Sequence, residues 1–314
     1  MRVLFLVLIL LIVSFISLFV GNQAIAPSRV FGMDEIQFLV FTVSRIPRTL
    51  ALLLSGAGIA VAGFIMQQIA QNKFVSPTTA GSLDAAKLGI LVGLLWFPHL
   101  GLIQKILLSL LFCFAAGVAF ILLIKRLKIK NVILIPLIGI MFGSILSAIA
   151  TFFAIKYNIV QNVEGWLIGD FSGVLQGQYE TIYLIFPVVI VTYILANQFT
   201  LIGMGENFSK NLGLNYNTYM FLGLLCVSLT VSVTVVTVGT IPFLGLIVPN
   251  VVRIYKGDNL KKVLPLTAWF GAVFLVVSDI LGRIIIAPYE IPIGLMVGML
   301  GGLIFFLLLM RINK

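Results

Sequence analysis

Long apolar segments recur along the whole chain, and they constrain its fold more strongly than any other feature. A run of about 20 apolar residues is long enough for a helix to cross the hydrocarbon core of a bilayer. Polar connections separate such runs here, and the approximate spans are residues 3–20, 47–69, 81–97, 106–124, 132–155, 181–196, 217–238, 241–254, 264–286 and 291–310. Because a spanning segment must satisfy its backbone hydrogen bonds internally, the sequence predicts an all-α polytopic membrane protein with about ten transmembrane helices.

The composition agrees with this fold class. Hydrophobic residues make up 61% of the 314-residue chain and charged residues only 10%, whereas soluble domains carry about 25% charged residues. The formal charge of +10 does not indicate nucleic-acid binding, because the basic residues lie singly between apolar runs. Their placement is typical of the Lys and Arg excess in the cytoplasmic loops of membrane proteins.

The first apolar run has two interpretations. Residues 1–26 combine one arginine, an apolar stretch and a small-residue end at Ala26, which is the pattern of a cleaved secretory signal. The run from Val3 to Val20 is longer than a usual signal core, and further spans follow it. We therefore favour an uncleaved first span at about residues 3–20.

The distribution of basic residues predicts the orientation of the chain. With the amino terminus in the cytoplasm, the cytoplasmic side holds Arg2, Lys73, Lys125, Arg126, Lys128, Lys130, Lys210, Arg253, Lys256, Lys261, Lys262, Arg311 and Lys314. The other side holds Arg29, Arg45, Arg48, Lys105, Lys156 and Arg283. The positive-inside rule then predicts that both termini are cytoplasmic.

Three outer arginines lie at the mouths of spans: Arg45, Arg48 and Arg283. A single arginine in such a place is most simply an interfacial anchor that extends to lipid headgroups. Three on the same face favour a docking surface for an acidic partner instead.

Charged residues inside the spans are few. Asp84 with Lys87, and Asp279 with Arg283, have the spacing of side-chain pairs on a helix. We favour structural pairing for both, with a proton relay as the alternative. His99 is the single histidine, so a histidine-based metal cluster is not expected, and no metal site or cofactor is predicted.

The connection at about residues 197–217 is long for a helical bundle. Apolar residues recur along it at roughly helical spacing, and Gly213 follows them as a helix stop. A short amphipathic element of this kind suits insertion into a groove of another protein. On the outer side, the segment 157–180 is either an interfacial anchor or a lid over an entrance.

Small residues recur every four positions in three spans. The stripes are Gly81, Ala85, Gly89 and Gly93; Gly139, Gly143, Ser147 and Thr151; and Gly294, Gly298 and Gly302. Because lipid supplies little hydrophobic drive between helices, close approach over small residues provides the packing. Packing within the bundle explains all three stripes, and a share in a subunit interface remains open.

Several motifs occur in a fixed order from about residue 45 to the end of the chain. They are an R-x-P-R opening of the second span, a Gly/Ala-rich run, an N-x-x-x-x-P loop, an LGMGE-like cytoplasmic stretch, GTIPFLGLIVPNVVR and EIPIGLMVGMLGG. Together they resemble the FecCD family, the permease subunits of ATP-driven importers for iron-siderophores, haem and vitamin B12. The segment SPTTAGSLDAAKLGI further resembles a subgroup associated with catecholate-type ferric siderophores.

The resemblance implies a type II ABC importer permease bundle, with residues 1–314 forming one transmembrane permease domain in the bacterial cytoplasmic membrane. It implies three kinds of partner: an identical or sister permease, two cytoplasmic ATP-binding cassette subunits and an extracytoplasmic substrate-binding protein. Arg45, Arg48 and Arg283 would meet acidic residues of the binding protein. Residues facing the ATPase would be Gly205, Glu206, Leu212 and Gly213, and residues of the cytoplasmic gate would be Asn72 and Phe74.

This chain departs from the family pattern at three positions. Lys73 stands where the family usually has proline, Asn207 where it has a second acidic residue, and Asn250 where it has histidine. The departure at Lys73 leaves the backbone turn of the gate loop open.

The leading hypothesis is a permease that moves an iron-siderophore complex into the cytoplasm and performs no covalent chemistry. No P-loop pattern G-x-x-x-x-G-K-[ST] occurs in the chain, so ATP hydrolysis belongs to a partner. The alternatives are an ion-coupled secondary transporter and an importer of the same type that carries haem or vitamin B12. A membrane enzyme is not supported, because no set of nucleophile, base and acid is present.

Overall fold

The structure, a computed structural model, describes residues 2–21, 27, 32–127, 131 and 133–312. The predictions that concern Ala26, Arg29, Lys128, Lys130 and Lys314 lie outside the described residues, as do the side chains of Arg2 and Arg311.

Helices account for all regular structure in the described part of the chain, apart from one isolated β-bridge between Ile168 and Thr240. The α-helices are α1 (Arg2–Phe19), α2 (Glu35–Val40), α3 (Ile46–Ile69), α4 (Ser82–Trp96), α5 (Leu102–Leu127), α6 (Leu134–Lys156), α7 (Val160–Leu167), α8 (Ile185–Ile194), α9 (Ala196–Gly203), α10 (Glu206–Asn211), α11 (Tyr216–Val238), α12 (Leu244–Lys256), α13 (Leu260–Ile284) and α14 (Ile293–Ile312). A π-helical turn, Phe41–Arg45, precedes α3, and a 3₁₀ turn, Glu180–Leu184, precedes α8. The all-α prediction is confirmed.

Each predicted span coincides with a helix, but not every helix is long enough to cross a bilayer by itself. Five helical segments of the described residues pass a test of length and hydropathy, and a sixth does so if the bent pair of α8 and α9 counts as one span. Helices α4 and α12 have only 15 and 13 residues. The count of about ten spans and the cytoplasmic placement of both termini therefore stay predictions.

Helix α3 is the centre of the bundle, because its two faces contact other helices along nearly its whole length. Its buried residues include all those from Gly58 to Ile69. A Cβ atom added to Gly63 would overlap the carbonyl oxygen of Gly245 in α12, and one added to Gly56 would meet the backbone of Gly271 in α13. Glycine at these crossings lets the backbones touch, which is how helices associate in lipid.

The small-residue stripes of the third and fifth spans pack within the bundle. A Cβ atom on Gly81 would lie 3.1 Å from the Cα atom of Gly143, and one on Gly89 would lie 2.9 Å from the Cα atom of Ser109 in α5. The stripe of the tenth span behaves differently. Gly294 contacts Gly169, but a Cβ atom on Gly302 meets no described atom within 4 Å.

The predicted amphipathic element at 197–217 is two helices rather than one. Helix α9 is bent by 66° from α8 and ends at Gly203, and α10 begins at Glu206 after Gly205, whose φ is +110°. That φ favours glycine, so the chain breaks at a residue that the periodicity treated as helical. Gly213, with φ +78°, follows the end of α10 and confirms the predicted helix stop.

The outer segment 157–180 is joined to the bundle by backbone hydrogen bonds. The Asp170 amide donates to the Val238 carbonyl at the end of α11 (2.9 Å), and the Gly294 amide at the start of α14 donates to the Gly169 carbonyl (2.9 Å). The Gln176 amide donates to the carbonyl of Val43 (2.9 Å). The segment therefore connects three elements at this end, and its role as anchor or lid stays open.

The contact between α3 and α12 predicts that Gly63→Ala destabilises the protein. The added methyl group must push the two backbones apart, and overpacking of this kind costs about 1–3 kcal/mol, more than the roughly 1 kcal/mol that alanine gains over glycine in helix propensity. Unfolding in mixed detergent micelles measures the effect.

The matched control is Gly302→Ala, where the methyl group meets no described atom. We expect this variant to be as stable as the unaltered chain or slightly more stable. Equal stability of the two variants would contradict the central role of the α3–α12 contact.

Candidate docking, gate and coupling sites

The arginines predicted to dock a partner lie at one end of the bundle, but their side chains are largely buried. The exposed fraction is 6% for Arg45, 5% for Arg283 and 12% for the Arg48 side chain. Burial of a guanidinium group is unfavourable unless it is paired and hydrogen-bonded. The contacts of these arginines therefore decide what they do.

Arg48 and Arg283 share one buried carboxylate. Arg48 contacts Asp279 through Nη2 (2.7 Å) and Glu290 through Nη1 (2.8 Å), while Arg283 Nη2 lies 2.6 Å from the other oxygen of Asp279. The predicted pair of Asp279 with Arg283 is confirmed. The sequence alone did not identify Glu290, because its partner lies 242 positions away in the chain.

Arg45 and Arg283 hold the end of α1. Arg45 Nη1 donates to the carbonyl of Leu18 (2.9 Å), and Arg283 donates to the carbonyl (3.0 Å) and the hydroxyl (2.8 Å) of Ser17. The last carbonyls of a helix lack partners within the helix and carry partial negative charge. Two arginines of the docking prediction thus cap the first span, a role that no sequence pattern signals.

Asp84 and Lys87 do not form the predicted salt bridge, although Lys87 is near enough to act electrostatically on Asp84. Lys87 Nζ instead contacts Glu164 Oε1 of α7 at 3.1 Å. Asp84 faces Gly143, where an added Cβ atom would lie 2.5 Å from its carboxylate oxygen. Helical spacing allowed the predicted contact, but a carboxylate from the outer segment reaches the ammonium group.

The predicted gate residues occupy a tight loop between α3 and α4, residues 72–79, which we call the gate loop. Asn72 is 2% exposed, and its side-chain oxygen accepts a hydrogen bond from the Phe74 amide (2.8 Å). The ring of Phe74 meets that of Phe305 in α14 edge to face, with centroids 6.4 Å apart. Asn72 thus shapes the loop, and Phe74 contacts a helix that sequence reasoning did not connect with it.

The predicted coupling residues lie on α9, α10 and the turn that follows them. Glu206 contacts Lys125 of α5 at 2.8 Å and Lys210 at 2.7 Å. The hydrogen bond from Lys125, followed by that from Lys210, lowers the pKa of Glu206 below its ordinary value. Glu206 therefore stays ionised at neutral pH and joins α10 to the end of α5.

An apolar surface accompanies these charges. Met204, Phe208 and Leu212 are 59%, 45% and 59% exposed, and a cavity of 730 Å³ lies beside them, lined by Gln71, Lys125 and Glu206 among others. Large apolar side chains exposed together at a loop mark a contact site for another molecule.

Metal binding has no support in the described residues, which contain no group of three or more His, Cys, Asp or Glu able to hold an ion.

Comparison with known proteins decides the family. A model of the FecCD transport family matches residues 9–311. The chain belongs to the FecCD transport family. The petrobactin import system permease protein YclN of Bacillus subtilis is 50% identical over 311 residues, which cover 99% of this chain and 98% of that protein. The ferric-anguibactin transport system permease protein FatD of Vibrio anguillarum is 47% identical over 295 residues, 94% of each chain.

A solved structure shares the fold of this FecCD protein. It is an inward-facing conformation of a metal-chelate type ABC transporter, with a TM-score of 0.80, 25% sequence identity and coverage of 98% of this chain and 97% of that one. The FecCD protein is therefore a multi-pass permease of the bacterial cytoplasmic membrane, with the type II importer fold. It is not an enzyme.

The buried pairs of this site predict a large effect for Arg283→Gln. The substitution removes one of the two cations of Asp279 and the donors to Ser17, and breaking a buried pair typically costs about 3–5 kcal/mol. We expect a matching loss of unfolding free energy and faster hydrogen exchange at the end of α1.

Lys73→Gln is the control, because it removes one charge from an exposed pair with Asp258. Exposed pairs contribute about 0–1 kcal/mol, so this variant should unfold almost like the unaltered protein. Similar losses in both variants would contradict the structural role of Arg283.

Proposed function

We propose that this FecCD protein is the permease of an ATP-driven importer that carries an iron-siderophore complex into the cytoplasm. The observation that carries this proposal is the match of nearly the whole chain to permeases named for petrobactin and ferric-anguibactin import. Haem and vitamin B12 are the alternative cargoes. Uptake of labelled ferric siderophores by cells that lack their own importer, with and without this chain, tests the cargo class.

The importer needs partners that this chain does not contain. They are two ATP-binding cassette subunits, a second permease that is identical or a sister chain, and an extracytoplasmic substrate-binding protein. The exposed apolar side chains of Met204, Phe208 and Leu212 support an ATPase contact, because such anchors fit a groove on a partner. Gly205, Glu206 and Gly213 would give this contact its shape through the break before α10, the ion pairs and the turn after it.

Transport would follow from alternating movement of packed elements. The binding protein delivers its ligand at the outer end, and the ATPase moves α9 and α10. This movement opens the gate at Asn72 and Phe74, in the manner of a switch between two packed states.

The docking role of the arginines rests most firmly on Arg48. Arg45 and Arg283 are engaged with the end of α1, whereas Arg48 contacts Glu290, whose side chain is 24% exposed. A carboxylate of the binding protein would therefore compete with Glu290 for the same guanidinium group. Charge pairs of this kind are strong where water is excluded.

The rival proposal, an ion-coupled secondary transporter, requires a carboxylate in the membrane that binds and releases a proton. Asp279 lies between the guanidinium groups of Arg48 and Arg283, and its protonation would leave the buried Arg283 without its ion-pair partner and Arg48 with Glu290 alone. This arrangement favours a structural role. Accumulation of substrate by the purified chain alone, in liposomes with an ion gradient, would instead support the rival.

The coupling proposal predicts that Phe208→Asp or Leu212→Asp releases the ATPase. Desolvating a new carboxylate at the centre of an interface costs enough to weaken binding at least tenfold. Co-purification of the ATPase subunit with tagged permease measures this binding.

Asn207→Asp is the matched control, since it changes an exposed polar residue of the same helix and should leave co-purification unchanged. Retention of the ATPase by both apolar-to-acidic variants would place the coupling surface elsewhere.

The docking proposal predicts opposite effects for two substitutions. Arg48→Gln should weaken binding of the substrate-binding protein at least tenfold, because it removes a charge pair. Glu290→Gln should strengthen binding, because it frees Arg48 from its competitor. Titration of the binding protein against permease in lipid nanodiscs measures both.

Lys156→Gln removes a charge from the same predicted side at an exposed position and serves as the control. Unchanged binding in Arg48→Gln would refute the docking role, and thermal unfolding of each variant separates loss of docking from loss of fold.

A further inference from the structure

Asn250 of α12 contacts the backbone of the gate loop. Its side-chain nitrogen donates to the carbonyl oxygen of Lys73 (2.9 Å) and to the carbonyl oxygen of Leu246, one turn earlier in its own helix (2.8 Å). Both neighbours are acceptors, so the amide nitrogen must face them. The bond to Leu246 holds the Asn250 side chain in the position from which it reaches the loop.

The contacted carbonyl belongs to the residue next to the two proposed gate residues. The Val75 amide bonds to the Asn72 carbonyl (3.2 Å), and the Phe74 amide bonds to the Asn72 side chain. These bonds shape the loop internally but do not fasten it to another helix. The bond from Asn250 does, because it joins the loop to α12.

A second set of contacts holds the same end of α12 against α3. Arg253 forms an ion pair with Asp258 and donates to Gln67 Oε1 (3.2 Å), and its guanidinium lies over the ring of Phe64, 4.7 Å from the centroid. Asp258 also lies 4.0 Å from the ammonium group of Lys73. The end of α12 is thereby fixed against α3, and Asn250 projects from a firmly held helix.

An open space separates the gate loop from α9. A cavity of 380 Å³ is lined by Asn72 and Lys73 of the loop, by Thr200 and Gly203 of α9, and by Arg253 and Asp258. The Leu260 amide, at the start of α13, donates to the hydroxyl of Thr200 (3.3 Å). Movement of α9 can thus reach the turn after α12. Val75 and Ser76 of the loop are fully buried, so a shift of the loop toward the cavity must also rearrange packed side chains.

We propose that Asn250 is a positioning residue that latches the gate loop to α12 through the carbonyl of Lys73. Release of this bond loosens the loop beside the adjoining cavity, while the contact of Phe74 with Phe305 and the exposed pair of Lys73 with Asp258 remain. The inference rests on the proposed function only where it calls the loop a gate, because the latch itself is a contact that can be measured without transport.

The test compares hydrogen exchange of residues 72–79 in full-length protein in lipid nanodiscs. Asn250→Asp keeps the size of the side chain but replaces the donor with a carboxylate that repels the Lys73 carbonyl. Loss of one net hydrogen bond should speed exchange of the Phe74, Val75 and Ser76 amides about tenfold. Asn250→Ala is the second variant, should the acidic side chain prevent folding.

Lys73→Ala is the matched control, because it removes the exposed side chain but keeps the carbonyl that Asn250 binds. Its loop should exchange at the rate of the unaltered protein. Unchanged exchange in both Asn250 variants would overturn the latch, and so would faster exchange throughout α3 and α12, which reports a general loss of stability.

Uptake and basal ATPase activity of the assembled importer separate the latch from the gate. A loosened loop with lower uptake, or with ATPase activity no longer stimulated by the binding protein, supports both the latch and the role of the loop as a gate. A loosened loop with normal uptake and normal ATPase activity keeps the latch and removes Asn72 and Phe74 from the gate.

Discussion

The architecture of this permease depends on the backbone contact of α3 with α12 and α13. Lipid chains are as apolar as the side chains of the spans, so burial alone does not hold helices together in a bilayer. Glycines at the crossings, Gly63 against Gly245 and Gly56 against Gly271, let the backbones touch and bring many atoms within van der Waals range. The arginine network lies at one end of this packed trio and the gate loop at the other. Both sites take their positions from the same contact.

The buried ion pairs of Arg48, Asp279 and Arg283 stabilise the fold at one end of the bundle. Asp279 lies between two guanidinium groups, and two of the three arginines also cap α1. Such an arrangement makes the first span part of the bundle, although α1 is largely exposed along its apolar side. Arg48 forms an ion pair with a partly exposed carboxylate, that of Glu290. In the docking role proposed above, a binding protein would compete with Glu290 for the charge of Arg48, and its arrival would be linked to the packing of this end.

The opposite end of the bundle, beside α9 and α10, has cavities and surface-exposed apolar side chains. Spaces of 730 Å³ and 380 Å³ flank the break between α9 and α10, and Gln71 and Met204 line both. Elements with few packed neighbours move at low cost, whereas a close-packed core resists displacement. The exposed side chains of Met204, Phe208 and Leu212 have few packed neighbours, whereas Val75 and Ser76 of the gate loop are buried in the core.

The sequence by itself determined the fold class, the approximate place of the helices that match the ten predicted spans, and the family. Hydropathy measures how favourably a segment transfers into lipid, which depends on that segment alone. Sequence motifs such as R-x-P-R are also local, so both can be read without the tertiary structure. The sequence also predicted the Asp279–Arg283 pair, because those residues share a helix. Only the tertiary structure decided the partners of three kinds of side chain. Lys87 pairs with Glu164, two arginines cap α1, and Asn250 bonds to the carbonyl of Lys73. The structure also decided that the 197–217 element breaks at Gly205. Most of these contacts join residues far apart in the chain, so helix packing rather than local spacing selects the partner of each charge and each amide.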